Sequence, residues 1–304
     1  MTPTVRADGI NSMTVTATDP PPSATPLPPQ RQAWLRLRRD KIAVASAVFL
    51  AVVALACIAG PWLSPHDFRG GAPGPESPLS APSWRHWAGT DLLGRDLLVR
   101  TLHGGRISLM VGALGTLVSL VVGVSAGLAA GYLGGRVDAA LMRLAEIVQA
   151  LPFTVMVILL MVTFGQDIRL IFLAIGLVEW PTMARVVRGQ ALSVRQRPYV
   201  SAAHALGQRD VATILRHLLP NVSGIIIVYA TLTAPSVILL EAFLSFLGLG
   251  VQAPQTSWGQ LIGDGVKTMD AAPWLLIAPS IAFAGTLLSL NLLGDRLRDR
   301  LDPR

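Results

Sequence analysis

The chain has 304 residues, of which 52% are hydrophobic and only 14% are charged, and its net charge is +7. Soluble domains carry about 25% charged residues, so this balance excludes an ordinary soluble protein and indicates several membrane spans. The basic residues cluster at the ends of apolar runs and do not line one polar face. The positive charge therefore does not indicate nucleic acid as a partner.

Residues 1–30 contain seven prolines among threonine and alanine. Such a segment cannot bury a core, so we predict a disordered tail. The first apolar run begins near Ile42 and lasts about 22 residues, which is too long for the apolar region of a signal peptide. We therefore interpret it as the first membrane span.

Six apolar runs reach the roughly 20 residues that a spanning helix needs. They cover approximately residues 42–63, 106–132, 139–164, 168–188, 222–246 and 273–294. Prolines at positions 152, 181, 235 and 279 fall inside runs, which membrane helices tolerate when neighbouring helices satisfy the freed carbonyls. The prediction is an all-α integral membrane protein with six continuous spans.

The distribution of basic residues predicts the orientation of these spans. Of the 25 lysines and arginines, 18 fall on the side that carries both termini and residues 199–221. Because lysine and arginine concentrate in cytoplasmic loops, we expect that side to be cytoplasmic.

Small residues recur in the second span as Gly123, Gly127 and Gly131. A stripe of glycines at four-residue steps lets another helix approach closely. The partner is either a helix of the same bundle or a helix of another subunit.

The polar segment 199–221 lies between two apolar runs. Its apolar residues recur at helical spacing on both sides of Gly207: Ala202, Ala203 and Leu206 before it, and Val211, Ile214, Leu215 and Leu218 after it. We expect Gly207 to end the first short helix, with either a positive φ or a close backbone approach, and Pro220-Asn221 to end the second. A helix–turn–helix outside the bilayer, with an apolar face on its second helix, predicts docking of a soluble partner.

The sequence contains no GxxxxGK[ST] motif, and its five histidines are scattered without metal-ligand spacing. The single cysteine, Cys57, excludes an intramolecular disulfide. We therefore predict no catalytic residues, no metal and no cofactor. Of the few carboxylates at bilayer depth, Glu241 either touches a transport pathway or makes a structural hydrogen bond between helices.

The docking segment resembles the signature loop of ABC-importer permeases. The resemblance is carried by two alanines, a glycine four residues later and a Leu-Pro pair twelve residues after that: Ala202, Ala203, Gly207, Leu219 and Pro220. Ser201 stands where that motif has its acidic residue, and His217 where it usually has isoleucine. The ending His217-x-Leu219-Pro220-Asn221 is similar to the oligopeptide, dipeptide and nickel permease C branch of the family.

Two further strings resemble the same branch, residues 89–109 (GTDLLGRDLLVR, then GGRISL) and residues 240–250 (LEAFLSFLGLG). The resemblance implies a type I importer fold, a bacterial plasma-membrane location and a peptide substrate. It also implies three kinds of protein partner, a second homologous permease, cytoplasmic ABC ATPase subunits and an extracytoplasmic substrate-binding protein, beside the membrane lipids. The residues that would couple to the ATPase are Ala202, Ala203, Gly207, Val211, Ile214, Leu215, His217, Leu218, Leu219, Pro220 and Asn221.

The predicted organisation is a tail (1–30), a basic segment with the first span (31–64), an external linker (65–104), a five-helix permease domain (105–294) containing the coupling loop (191–221), and a basic tail (295–304). Permeases for nickel, glutathione or another small solute share these motifs and remain alternatives. A secondary transporter should show internal repeats, and a membrane enzyme should show paired catalytic groups. Neither signal is evident.

Overall fold

The computed structural model describes residues 37–64, 78–165 and 167–301, and these residues are almost entirely helical. The predicted tail 1–30 lies outside the described residues. The helices, in chain order, are α1 (Lys41–Leu63), α2 (Leu97–Leu133), α3 (Gly135–Ala150), α4 (Phe153–Phe164), α5 (Ile168–Arg195), α6 (Pro198–Ala205), α7 (Asp210–Thr213), a π-helical turn (Ile214–Leu218), α8 (Leu219–Phe246), α9 (Trp258–Lys267) and α10 (Trp274–Leu301).

Five helical segments in the described residues are long and apolar enough to cross a membrane: α1, α2, α5, the continuous segment Asp210–Phe246, and α10. The pair α3–α4 supplies a sixth span when its two helices are counted together. The prediction of a six-span, all-helical bundle is thus confirmed. The second span begins at Leu97, nine residues before the predicted start at 106.

The third predicted span is not one continuous helix, because α3 and α4 meet at an angle of 88°. Leu151, at the bend, has an extended backbone with φ −79° and ψ 134°. The ring of Pro152 disfavours the helical conformation in the residue before it, so the helix has to stop at Leu151. The prediction that this proline is absorbed within a straight helix was wrong.

The bundle has two ends, which we call the loop end and the far end. The loop end carries the start of α1, the ends of α2, α5 and α10, and residues 196–218. The far end carries residues 78–96, the start of α10 and helix α9. At the loop end, Asp40 pairs with two arginines of α10. Its Oδ2 lies 3.6 Å from Nη2 of Arg300 and 3.9 Å from Nε of Arg296. The backbone N–H of Ala43 lowers the pKa of Asp40, and the two arginines act in the same direction.

The glycines of α2 pack within the bundle, against α5. A Cβ added at Gly127 would lie 2.5 Å from the carbonyl oxygen of Ala184, and one at Gly131 would lie 2.6 Å from Cβ of Ala191. Glycine at these positions lets the two helix backbones approach, and the stripe is therefore a contact inside this chain.

At the far end, residues 78–96 form a compact turn in which the charges of the Gly89–Arg100 string are buried and paired. The carboxylate of Asp91 accepts hydrogen bonds from the guanidinium groups of Arg95 and Arg100, and from the backbone N–H groups of residues 93 and 95. Asp96 caps α2 through the N–H of Val99 and bonds to His86 Nδ1 at 2.8 Å. These charges hold the far end of α2 in place.

Candidate docking site

The first helix of the loop, α6, ends in a Schellman motif. The N–H of Gly207 donates to the carbonyl of His204 at 2.9 Å, and the N–H of Gln208 donates to the carbonyl of Ala203 at 3.1 Å. Gly207 has φ +77°, one of the two alternatives that the sequence predicts. A Cβ at this glycine would meet no atom within 4 Å. The requirement for glycine is therefore backbone conformation and not space.

The second helix of the loop does not end at Pro220-Asn221, so that prediction was wrong. Helix α7 continues through the π-helical turn directly into α8, and the described segment Asp210–Phe246 is one helix. Pro220 lies in the first turn of α8, directly after the turn of wider pitch. Proline has no N–H to donate and its ring crowds the carbonyl four residues earlier, and a π turn relieves both problems locally.

The apolar residues of the second helix do not share one face. Leu218 is fully buried, and Ile214 packs beside it against a core cluster built from α2, α5 and α8. Val211 and Leu215, by contrast, are 67% and 56% exposed, and Leu206 in the preceding turn is 87% exposed. The predicted four-residue face is thus corrected. We call the three exposed apolar residues of the loop, Leu206, Val211 and Leu215, the docking patch, as a candidate contact for a partner.

Polar contacts fix the loop against the bundle. The hydroxyl of Tyr132, at the end of α2, donates to Asp210 Oδ1 at 3.0 Å. His217 Nε2 lies 3.1 Å from Gln208 Oε1, and its ring lies 6.0 Å from the ring of Tyr199. The side-chain amide of Asn221 donates to the carbonyl of His217 at 2.7 Å. The two short helices are thus held to each other and to α2.

The remaining predicted loop residues surround the patch or support it. Ala202, Pro220 and Asn221 are exposed, whereas Ala203, His217 and Leu219 are half-buried. The structure brings all eleven predicted residues into one surface loop and its immediate core.

A cavity of about 380 Å³ opens beside the loop. Its lining includes Tyr132, Arg195, Ser201, His204 and Asp210. No local sequence pattern indicates this cavity, because α2, α5 and the loop contribute to it from distant positions in the chain. It is large enough to accept a side chain from a partner protein.

Glu241 lies near the far end of α8, away from the docking patch, and is fully buried. Its carboxylate accepts a hydrogen bond from Ser108 on α2 at 2.9 Å and one from Ser245 at 2.6 Å. Ser108 Oγ in turn accepts the backbone N–H of Trp258 at 3.2 Å. Of the two roles that the sequence left open, this geometry supports a hydrogen bond between helices, and contact with a transport pathway stays a prediction.

Residues 123–304 match the family described as the inner membrane component of binding-protein-dependent transport systems. The chain belongs to this family. Residues 29–82 match the N-terminal transmembrane domain of oligopeptide transport permease C. This family member is therefore a permease of the ABC-importer class with a type I permease fold, and its relatives are non-catalytic subunits.

Several curated relatives resemble this permease over most of its length. It is 46% identical over 274 residues to the oligopeptide transport system permease protein OppC of Haemophilus influenzae, covering 90% of this chain and 88% of that protein. It is 47% identical to the protein of the same name from Escherichia coli K12, covering 90% and 92%. Identity to the dipeptide transport system permease protein DppC of Bacillus subtilis is 43%, covering 90% and 85%.

Proposed function

We propose that this permease forms half of the translocation pathway of an ATP-driven importer of di- or oligopeptides. The cargo is inferred from the names of relatives that are 43–47% identical over 90% of the chain. The other half of the pathway is a second, homologous permease. An extracytoplasmic binding protein delivers the peptide, and the loop end faces the cytoplasm.

The observation that carries the coupling role is the docking patch. Leu206, Val211 and Leu215 are large apolar side chains exposed at the loop end of the bundle. Burying each of them against a partner contributes roughly 1.5–3 kcal/mol. A soluble ATPase subunit bound here covers the patch, and the cavity beside Tyr132 and Asp210 receives one of its side chains.

Continuity of the helix supports the mechanism. Because α7 runs without a break into α8, a displacement of the docking patch is a displacement of a membrane span. No hinge is therefore needed between the residues that contact the ATPase and the helices of the bundle. Closure of the ATPase subunits on ATP tilts α8, and with it the helices packed on α8.

The test is co-purification of the ATPase with the permease variant V211D/L215D. We expect this variant to insert normally and to lose the ATPase and peptide uptake, because two carboxylates replace the exposed apolar contacts. The matched control is L92D/L93D, which places the same two charges on exposed leucines at the far end. The control should retain the ATPase. Retention of the ATPase by V211D/L215D contradicts the proposal.

A further inference from the structure

Helix α9 is seated against α2 and α8 with almost no space between the backbones. A Cβ added at Gly259 would lie 2.3 Å from the carbonyl oxygen of Ala242 on α8. A Cβ added at Gly105 on α2 would lie 2.5 Å from the ring of Trp258, and the Trp258 indole N–H donates to the carbonyl of Thr101 at 2.9 Å. Glycines at the contact let α9 pack at backbone distance.

One buried carboxylate lies where the three helices meet. Ser108 accepts the N–H of Trp258, so its own hydroxyl hydrogen is free to donate to Glu241. Ser245 donates to the other carboxylate oxygen. A glutamate carboxylate offers two acceptor oxygens and no donor, which matches a site whose neighbours all donate.

Glu241 and the docking patch belong to the same helix. Leu215 and Glu241 both lie within the unbroken segment Asp210–Phe246. At a rise of 1.5 Å per residue, the two positions are about 40 Å apart along the helix axis. A movement imposed at the loop end therefore reaches Glu241 along one continuous helix, which includes the π-helical turn and Pro235.

We propose that Glu241 is a positioning residue that makes α9 move together with α8, so that displacement of the docking loop changes the far end of the bundle. This proposal rests on the proposed docking of an ATPase at the loop. Close packing by itself holds α9 against α8 only while the two helices keep their present relative position. The bonds through Ser108 and Trp258 keep the two helices in register when α8 tilts.

The isosteric variant E241Q tests the role of the carboxylate. Glutamine keeps one acceptor oxygen and replaces the other by an NH₂ donor, so the serine hydroxyl that donated to that oxygen has to rotate and accept instead. The variant therefore removes the carboxylate and reverses the direction of one bond. The milder variant S108A removes the bridge from Glu241 to Trp258 and leaves the carboxylate in place. The matched control is T286V on α10, since the buried hydroxyl of Thr286 bonds only the carbonyl of Ala282 in its own helix.

The measurement is made on the assembled transporter with its ATPase and second permease in lipid nanodiscs. Spin labels at L247C, beyond the end of α8, and V266C on α9 occupy exposed positions, and the buried Cys57 is replaced in a C57A background. We expect a narrow distribution of distances between the two labels in wild type and T286V. This distribution should be the same in the nucleotide-free and ATP-bound states. In E241Q and S108A the distance should shift or broaden on ATP binding.

The functional readout is the number of ATP molecules hydrolysed per peptide imported. It should rise about fivefold in S108A, the factor that corresponds to about 1 kcal/mol, the net strength of an ordinary hydrogen bond. It should also rise in E241Q and stay at the wild-type value in T286V. The proposal is overturned if both variants keep the wild-type distance and the wild-type ratio. It is also overturned if E241Q changes only which peptides are carried, since that places Glu241 in the pathway. Failure of the wild-type permease to bind an ATPase contradicts the docking proposal instead.

Discussion

Leu215 and Leu218 are three residues apart on one helix and lie in opposite environments, Leu215 exposed and Leu218 fully buried. The sequence pattern places both residues on one apolar face, but their different exposure gives them two different roles. Leu218 and its neighbour Ile214 hold the loop on the bundle, and Leu215 with Val211 faces outward. A substitution at either leucine therefore has a distinct expected effect.

Replacing Leu218 by alanine should destabilise the permease itself. A fully buried leucine truncated to alanine costs about 2–5 kcal/mol, because transfer energy is lost and a cavity remains. Leu215→Ala should change the stability by no more than about 0.5 kcal/mol, as expected for an exposed position. Thermal unfolding of both variants in detergent, without the ATPase, makes the comparison. Equal losses of stability would contradict the assignment of the two environments.

Gly207→Ala should distort the loop without crowding any neighbour. The left-handed conformation costs a residue with a Cβ about 1–2 kcal/mol, so the Schellman turn is weakened and the docking patch is displaced. We expect weaker ATPase binding and lower uptake. Gly224→Ala is the control, because a Cβ at this position of α8 also meets no atom within 4 Å and its φ is not positive. If the two variants bind the ATPase equally, the conformation of Gly207 is not needed for docking.

Gly127→Val should separate α2 from α5. The new side chain would clash with the carbonyl oxygen of Ala184, which lies 2.5 Å from the added Cβ. Because this oxygen belongs to the backbone of α5, the clash can be relieved only if the two helices move apart. We expect lower yield of folded protein and a lower unfolding temperature. Gly189→Val, on α5 with no atom within 4 Å of the added Cβ, is the matched control. A stable, active G127V protein would show that the helices do not pack as closely as described.

Asp91→Asn should destabilise the far-end turn. Removing one partner of a buried ion pair costs about 3–5 kcal/mol, since Arg95 and the buried Arg100 lose their counter-charge. The exposed pair Arg143–Glu146 provides the control, because Glu146→Gln should cost no more than about 1 kcal/mol. Unfolding temperatures of the two variants test the difference. Similar temperatures would mean that Asp91 is not a structural centre of this turn.

The orientation of the bundle can be tested with single cysteines in a C57A background. The basic asymmetry predicts that the loop end is cytoplasmic. A membrane-impermeant maleimide added to intact cells should label M269C, at the far end, and should leave R298C, exposed at the loop end of α10 and outside the docking patch, unlabelled until the cells are opened. Labelling of R298C in intact cells would reverse the assigned orientation.

The features that the sequence predicted correctly depend on local patterns. Apolar runs locate the spans because a helix in lipid must satisfy its backbone internally. The end of the first loop helix at Gly207 follows from a glycine placed where one helical pattern stops and another begins. Both inferences need only the residues of one segment.

The features that could not be predicted depend on how segments that are distant in the sequence pack against each other. Pro152 and Pro220 both lie in or beside apolar runs, yet one marks an 88° bend and the other is absorbed by a π turn. The apolar spacing of residues 211–218 is the same for a face that packs on the core and for a face that binds a partner protein. The spacing alone therefore could not distinguish the two. The bond between Ser108 and Glu241 joins positions 133 residues apart, which no local pattern reports.

The central claim is that the exposed side of the loop, and not its buried side, contacts a separate ATPase. Site-specific photo-crosslinking of the assembled transporter tests it most directly, with a photoreactive amino acid at Leu215 or at Leu218. We expect a crosslink from position 215 to the ATPase subunit and none from position 218. No crosslink from position 215, or equal crosslinking from both positions, would contradict it.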